Sequence, residues 1–114
     1  MAGKGDPDYI VALTTLASEG DATSLIRRLV EARVVACGTV IPAAVSVYRW
    51  EGRVTQESEA LVLLKTTRDC WDALSRAVAE WHPYDVPELI AVGVEEGSHP
   101  YLQWLSAETQ SREH

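Results

Sequence analysis

The stretch Val34 to Thr67, VVACGTVIPAAVSVYRWEGRVTQESEALVLLKTT, decides the fold. Two strand-like runs flank the tight turn Trp50-Glu51-Gly52-Arg53, which is the layout of a β-hairpin. The returning run, Val54 to Thr67, extends roughly 45 Å at about 3.3 Å per residue. A compact chain of 114 residues has a radius of gyration near about 13 Å, so this hairpin projects beyond its own domain. Val45, Val47, Tyr48 and Trp50 fall toward the tip, where large apolar side chains are unfavourable in water. An isolated two-stranded hairpin is itself marginal. Another copy of the chain is the simplest cover, with these four side chains at the interface.

The polarity of the returning run supports an assembly. Thr55 to Glu59 is polar on both faces and suits a solvated arm, whereas Ala60 to Leu64 is apolar on both faces. Neighbouring residues of a strand point to opposite sides, so the apolar half needs cover above and below. Pro42 interrupts the first run and places it at a sheet edge or a bulge, because proline cannot donate to a central ladder.

Outward from the hairpin, Tyr9 to Leu16 reads as a central strand, apolar on both faces. Ser18 with Asp21 forms a capping-box-like start. Ala22, Leu25, Ile26, Leu29 and Val30 then recur at helical spacing to about Arg33. After the hairpin, Thr66 or Thr67 can cap a second helix, with Trp71, Leu74, Val78 and Trp81 on one face and Pro83 at its end. Leu89 to Val94 reads as a last buried strand. Ser98 caps a short helix from His99 to about Ala107, with Tyr101, Trp104 and Leu105 inward, and the tail from Glu108 to His114 frays. The order β-α-β-β-α-β plus a terminal helix is the α+β, ferredoxin-like pattern, in one domain over residues 1–114 with an ordered core at about 8–107. Helices on one face of an antiparallel sheet leave the other face to be buried between subunits.

Ten basic against seventeen acidic residues give a net charge of −7, which works against nucleic-acid and anionic-membrane partners. No apolar run reaches the roughly 20 residues of a transmembrane helix. The start, Met1 to Asp8, has no apolar leader region, so a cytoplasmic location is expected. Cys37 and Cys70 do not make a disulfide framework or a zinc site. Cys37 reads as a small buried hydrophobe, and Cys70 as a residue in the opening turn of a helix, where a thiol pKa can fall.

The glycine-rich phosphate loops, HExxH, CxxC and GxSxG patterns are absent, and no catalytic residues are expected. The loop His82-Pro83-Tyr84-Asp85-Val86-Pro87-Glu88 is the most functional-looking segment. His82 is a candidate metal ligand through a neutral imidazole, or else caps the helix C-terminus. Tyr84 and Glu88 either line a polar pocket or tie the loop down. Lys65 follows an apolar run and requires a carboxylate such as Glu88 or an anionic ligand. Trp50 reads as an interface anchor or a stacking platform, and Trp71, Trp81 and Trp104 as core.

Five blocks also carry a resemblance: Val35 to Pro42, Ser46 to Arg53, Leu63 to Thr67, His82 to Ile90 and Tyr101 to Leu105. In this order they resemble the CutA family of divalent-cation tolerance proteins over roughly residues 9–107. The resemblance implies a ferredoxin-like subunit in a homotrimer, non-enzymatic, linked to tolerance of copper and other divalent metals. Family copper ligands include a cysteine at the end of the first strand and a histidine pair before the Pro-Tyr of the loop. Thr14 and Trp81 stand at two of those positions, and His82 alone matches. The trimer is also similar to the PII signalling proteins. That likeness implies, as an alternative, a sensor for a small anion or metabolite in intersubunit clefts near Lys65, Tyr84 and Glu88.

Overall fold

The computed structural model of the chain describes residues 8–110. The expectations of a start without a leader and of a fraying tail fall mostly on residues 1–7 and 111–114, outside that range. The first residues of the tail are tied down: Gln110 N donates to Arg33 O at 2.9 Å.

The elements run β1 (Tyr9–Leu16), α1 (Glu19–Glu31), β2 (Cys37–Trp50), β3 (Arg53–Thr67), α2 (Trp71–Trp81), β4 (Ile90–Gly93) and α3 (His99–Glu108). The four-stranded sheet has the order β2-β3-β1-β4, the ferredoxin-like arrangement, with antiparallel neighbours throughout. Glu51 and Gly52 form the two-residue turn of the hairpin, with φ of 50° and 80°. Two left-handed residues are what a tight turn between right-twisted strands requires. The hairpin does project. The longest dimension is 46 Å and the radius of gyration 14.9 Å, above the roughly 13 Å of a compact chain of this length.

Pro42 lies where its missing N–H does least harm. The strand it interrupts is an edge, and the register with β3 shifts between Ile41 and Ala44. Ala43, at φ 60°, is the left-handed residue of that bulge.

Ser18 Oγ accepts from Asp21 N at 3.0 Å and starts α1. Ala22, Leu25, Ile26 and Leu29 of α1 pack with Ala73, Leu74, Ala77 and Val78 of α2 onto Ala12, Leu16, Ala60, Val62 and Leu64 of the sheet. Gly38 permits the close approach, because a Cβ there would meet Ile26 Cγ1 and Cγ2 at 2.9 Å.

Several expectations are corrected here. Val30 is exposed, because it lies in the last turn of α1, which ends at Glu31. Neither threonine caps α2 through its side chain: Thr66 Oγ1 donates to Val34 O at 2.7 Å, and Thr67 only begins a short 3-10 turn at Arg68–Cys70. The last strand is shorter than expected and not buried: it forms the other edge of the sheet, where Ile90 and Val92 are 56% and 55% exposed.

The second face of the sheet carries Val11, Leu13, Leu61 and Leu63, which are half-buried. It is not bare. α3 lies across one end of it, with Tyr9 Oη 2.8 Å from Ser106 Oγ and Cys37 Sγ 3.7 Å from Tyr101 Oη. Leu105 is the buried anchor of α3, whereas Tyr101 and Trp104 are exposed, so Trp104 is not core. Trp81 does pack against the core, and the Arg28 guanidinium sits 4.2 Å over its ring, a cation–π contact. Among the described residues no helix is long and apolar enough to cross a membrane.

Candidate functional site

His82 fixes the loop that follows α2. It is 6% exposed. Its Nδ1 accepts from Tyr84 N at 3.1 Å, which leaves the proton on Nε2 to donate to Thr15 O at 2.9 Å. The ring also packs 4.8 Å from the Tyr84 ring, tilted by 60°. Burial lowers the imidazole pKa below its ordinary 6.5, against smaller opposing effects of the Thr15 carbonyl and Glu59. A metal binds an imidazole lone pair, and here the one lone pair already accepts a backbone N–H. Nor does His82 cap its helix through the ring, which turns instead to β1.

Tyr84, positioned by this contact, donates from its hydroxyl to Glu59 Oε2 at 2.9 Å. Burial, then the bond to Glu59, push its phenol up to about 12. Tyr48 makes the equivalent bond to Glu57 Oε1 at 2.7 Å, and that bond is the main cause of its raised pKa. Glu57 and Glu59 lie two apart on β3 and so on one face, opposite Ser46 and Ala44 of β2. Between this face of the arm and the loop lies a cavity of about 940 Å³, lined among others by Trp50, Tyr48, Glu57, Glu59, Tyr84 and Glu88. Asp85 adds a further carboxylate to its wall.

The structure therefore brings Tyr84 and Glu88 together but not Lys65. Lys65 lies six positions from Glu59 along β3, roughly 20 Å away at about 3.3 Å per residue. Its Nζ donates to Thr39 Oγ1 rather than to a carboxylate. The expected pairing with Glu88 is corrected by that register, and the lysine does not line the cavity. Cys37 is also corrected: it is half-exposed beside Lys65, not buried. Cys70 is buried, with Sγ 3.4 Å from Gln110 O. Glu57 and Glu59 were missed by sequence reasoning, which reads this half of the strand as a solvated arm. Their spacing of two, with Glu57 diagonal to Tyr48 across the hairpin, is the signal that finds them.

The interface candidates all sit on the arm. Val45, Val47 and Trp50 are 64%, 61% and 62% exposed, and Tyr48 is exposed as well. A Cys/His copper centre does not fit these residues. Thr14 carries a hydroxyl, buried and without a hydrogen-bond partner among the described residues. Cys37 is in register with Lys65, whereas the Thr15 that holds His82 is in register with Leu61. Those positions are roughly 13 Å apart along β3. Among the described residues, no three His, Cys, Asp or Glu side chains are grouped to hold an ion.

Residues 10–108 match the family described as CutA1 divalent ion tolerance protein. A divalent-cation tolerance protein CutA of Thermus thermophilus is 41% identical over 99 residues, 87% of this chain and 96% of that protein. The solved divalent cation tolerance protein of the same organism superposes with a TM-score of 0.86 at 40% identity, covering 90% of this chain and 99% of the other. The crystal structure of CutA1 from Oryza sativa gives 0.88 at 34% identity, over 94% and 98%.

Proposed function

The chain belongs to the CutA1 divalent ion tolerance family, and from that premise we propose that it acts in divalent-cation tolerance as a cytoplasmic, non-enzymatic homotrimer. One observation carries the assembly: a long arm and an edge strand that hold Val45, Val47, Trp50, Ile90 and Val92 more than half exposed. Apolar surface of this extent is unfavourable in water at about 25 cal/mol per Å², and a monomer rarely keeps it uncovered. Copies of the same chain bring matching arms and matching open sheet faces, and a closed ring satisfies all of them at once.

Sedimentation velocity at micromolar concentration tests this reading. It predicts a trimer, and Val47→Glu predicts its dissociation, since the charge enters the apolar contact. A wild-type monomer or dimer refutes it. The role in metal response does not run through His82 in this arrangement. A Cu(II) titration by calorimetry is therefore expected to give the same stoichiometry in wild type and His82→Ala. Loss of binding in the variant would return His82 to the metal site.

A second reading, a PII-like sensor of a small ligand, is favoured by the cavity under the arm. Its volume of about 940 Å³ matches the upper end of the roughly 300–1,000 Å³ of ligand sites. Its carboxylates are oriented by tyrosines that a merely solvated arm does not need.

A further inference from the structure

We propose that the cavity between the arm and the loop after α2 selects an organic cation: an amine or guanidinium carrying an apolar or aromatic body. The inference rests on the sensor reading and reverses the charge first expected of its ligand. Glu57, Glu59, Asp85 and Glu88 line the cavity; among the described residues no lysine, arginine or histidine does, and Lys65 stands well away. An anion entering here meets only like charge, which disfavours it in a partly enclosed site.

The walls name the rest of the ligand. Trp50, Tyr48 and Tyr84 contribute aromatic rings to the same cavity. Cations bind over such faces, tryptophan best. Val86 adds apolar surface and is 86% exposed. The carboxylates are aimed rather than loose. Tyr48 holds one oxygen of Glu57, and Tyr84 one oxygen of Glu59, and each carboxylate keeps its second oxygen as an acceptor. Two acceptors spaced two residues apart on one strand suit the forked donors of a guanidinium or the three donors of an ammonium.

A bare metal ion fits less well. Oxygen ligands must close to about 2.0–2.6 Å around it, whereas the acidic side chains here are distributed around some 940 Å³ and are not grouped as a metal site among the described residues. A molecule that spans the cavity reaches several carboxylates without drawing them together. The rings that would hold it also belong to the arm proposed to be covered by another copy, so occupancy and assembly are linked through Trp50 and Tyr48.

The test is calorimetry and thermal denaturation of the full oligomer with phenethylamine and agmatine, beside phenethyl alcohol and phenylacetate as neutral and anionic controls. The expected result is saturable binding of the amines, a higher melting temperature by mass action on the folded state, and no effect of phenylacetate. Glu59→Gln should weaken the amines by about tenfold or more, the equivalent of about 1.4 kcal/mol, with the sedimentation coefficient unchanged. Should that variant misfold, Glu88→Gln in the same lining provides the same reading. Binding of phenylacetate in place of the amines overturns the charge assignment and leaves the sensor reading standing. Amine binding untouched by both glutamine variants overturns the site. Binding of Mn(II) that Glu59→Gln abolishes, without amine binding, replaces the organic cation by a metal. No binding of any probe to an intact oligomer overturns this inference and the sensor reading together, and leaves the trimer and the tolerance role unaffected.

Discussion

Replacing Gly38 by alanine tests the packing that seats α1 on the edge strand. The backbone there is not left-handed, so an alanine meets no backbone strain, and only the new methyl matters. It would lie 2.9 Å from Ile26 Cγ1 and Cγ2 and 3.0 Å from Cδ1. Ile26 is buried between helix and sheet, so the side chain has little room to withdraw. Overpacking of this kind costs about 1–3 kcal/mol, and the lower chain entropy of alanine returns about 0.5–1 kcal/mol. Gly38→Ala is therefore expected to destabilise by about 1–2 kcal/mol. Ile26→Ala alone should cost about 2–5 kcal/mol as a large-to-small core change. It also removes all three atoms that the new methyl would strike. In that background Gly38→Ala should become neutral or slightly stabilising, a coupling of about 2 kcal/mol. Urea denaturation of the four proteins at one fixed concentration measures it, since an oligomer's stability depends on concentration. A Gly38→Ala cost that is the same in both backgrounds to within about 0.5 kcal/mol would refute the contact as the cause.

Three further outcomes are expected. His82 is held neutral in the fold, with its pKa lowered by burial. Above pH 6.5 both states are neutral; as pH falls below it the unfolded chain takes the proton and the fold does not, so stability declines toward the folded pKa. His82→Gln should lose that part of the slope between about pH 7.5 and 5, and parallel melting curves would count against it. Thr14→Val replaces a buried hydroxyl without a partner among the described residues by a methyl of similar size, and should stabilise by about 1 kcal/mol, read as a raised urea midpoint; a lowered midpoint means the hydroxyl is satisfied. At the hairpin tip, where φ is 80°, Gly52→Ala should destabilise by about 1–2 kcal/mol. Glu51→Asn, at φ 50°, should stabilise by a few tenths of a kcal/mol; a hairpin indifferent to both changes in thermal melts would not contain this turn.

The fold was legible where signals are local. The turn at Glu51-Gly52, the bulge beside Pro42 and the cap at Ser18 each follow from the conformational limits of one or two residues. Exposure was less legible, because periodicity gives a face and not the end of the neighbouring surface: Val30 and Trp104 lie on the expected faces but beyond their cover. The site was half legible. Tyr84 and Glu88 do share a cavity, while Lys65, grouped with them by chemistry, is separated by strand register. Nothing local announces that His82 turns inward. That depends on a carbonyl at Thr15, 67 residues earlier.

The bulge at Pro42 and Ala43 has a consequence for the chemistry of the arm. Before it, odd-numbered residues of β2 share a face with Leu61 and Leu63; after it, even-numbered ones share a face with Glu59 and Glu57. The strand is thus written in two reading frames joined at one inserted residue. In the second frame Tyr48 and Trp50 fall beside the acidic pair, and Val45 and Val47 fall on the opposite side. Deleting one residue at the junction would exchange the two sets, putting valines against the carboxylates and the aromatic rings on the reverse of the arm. A single position of chain length, carrying no functional group itself, decides which side of the arm can recognise charge.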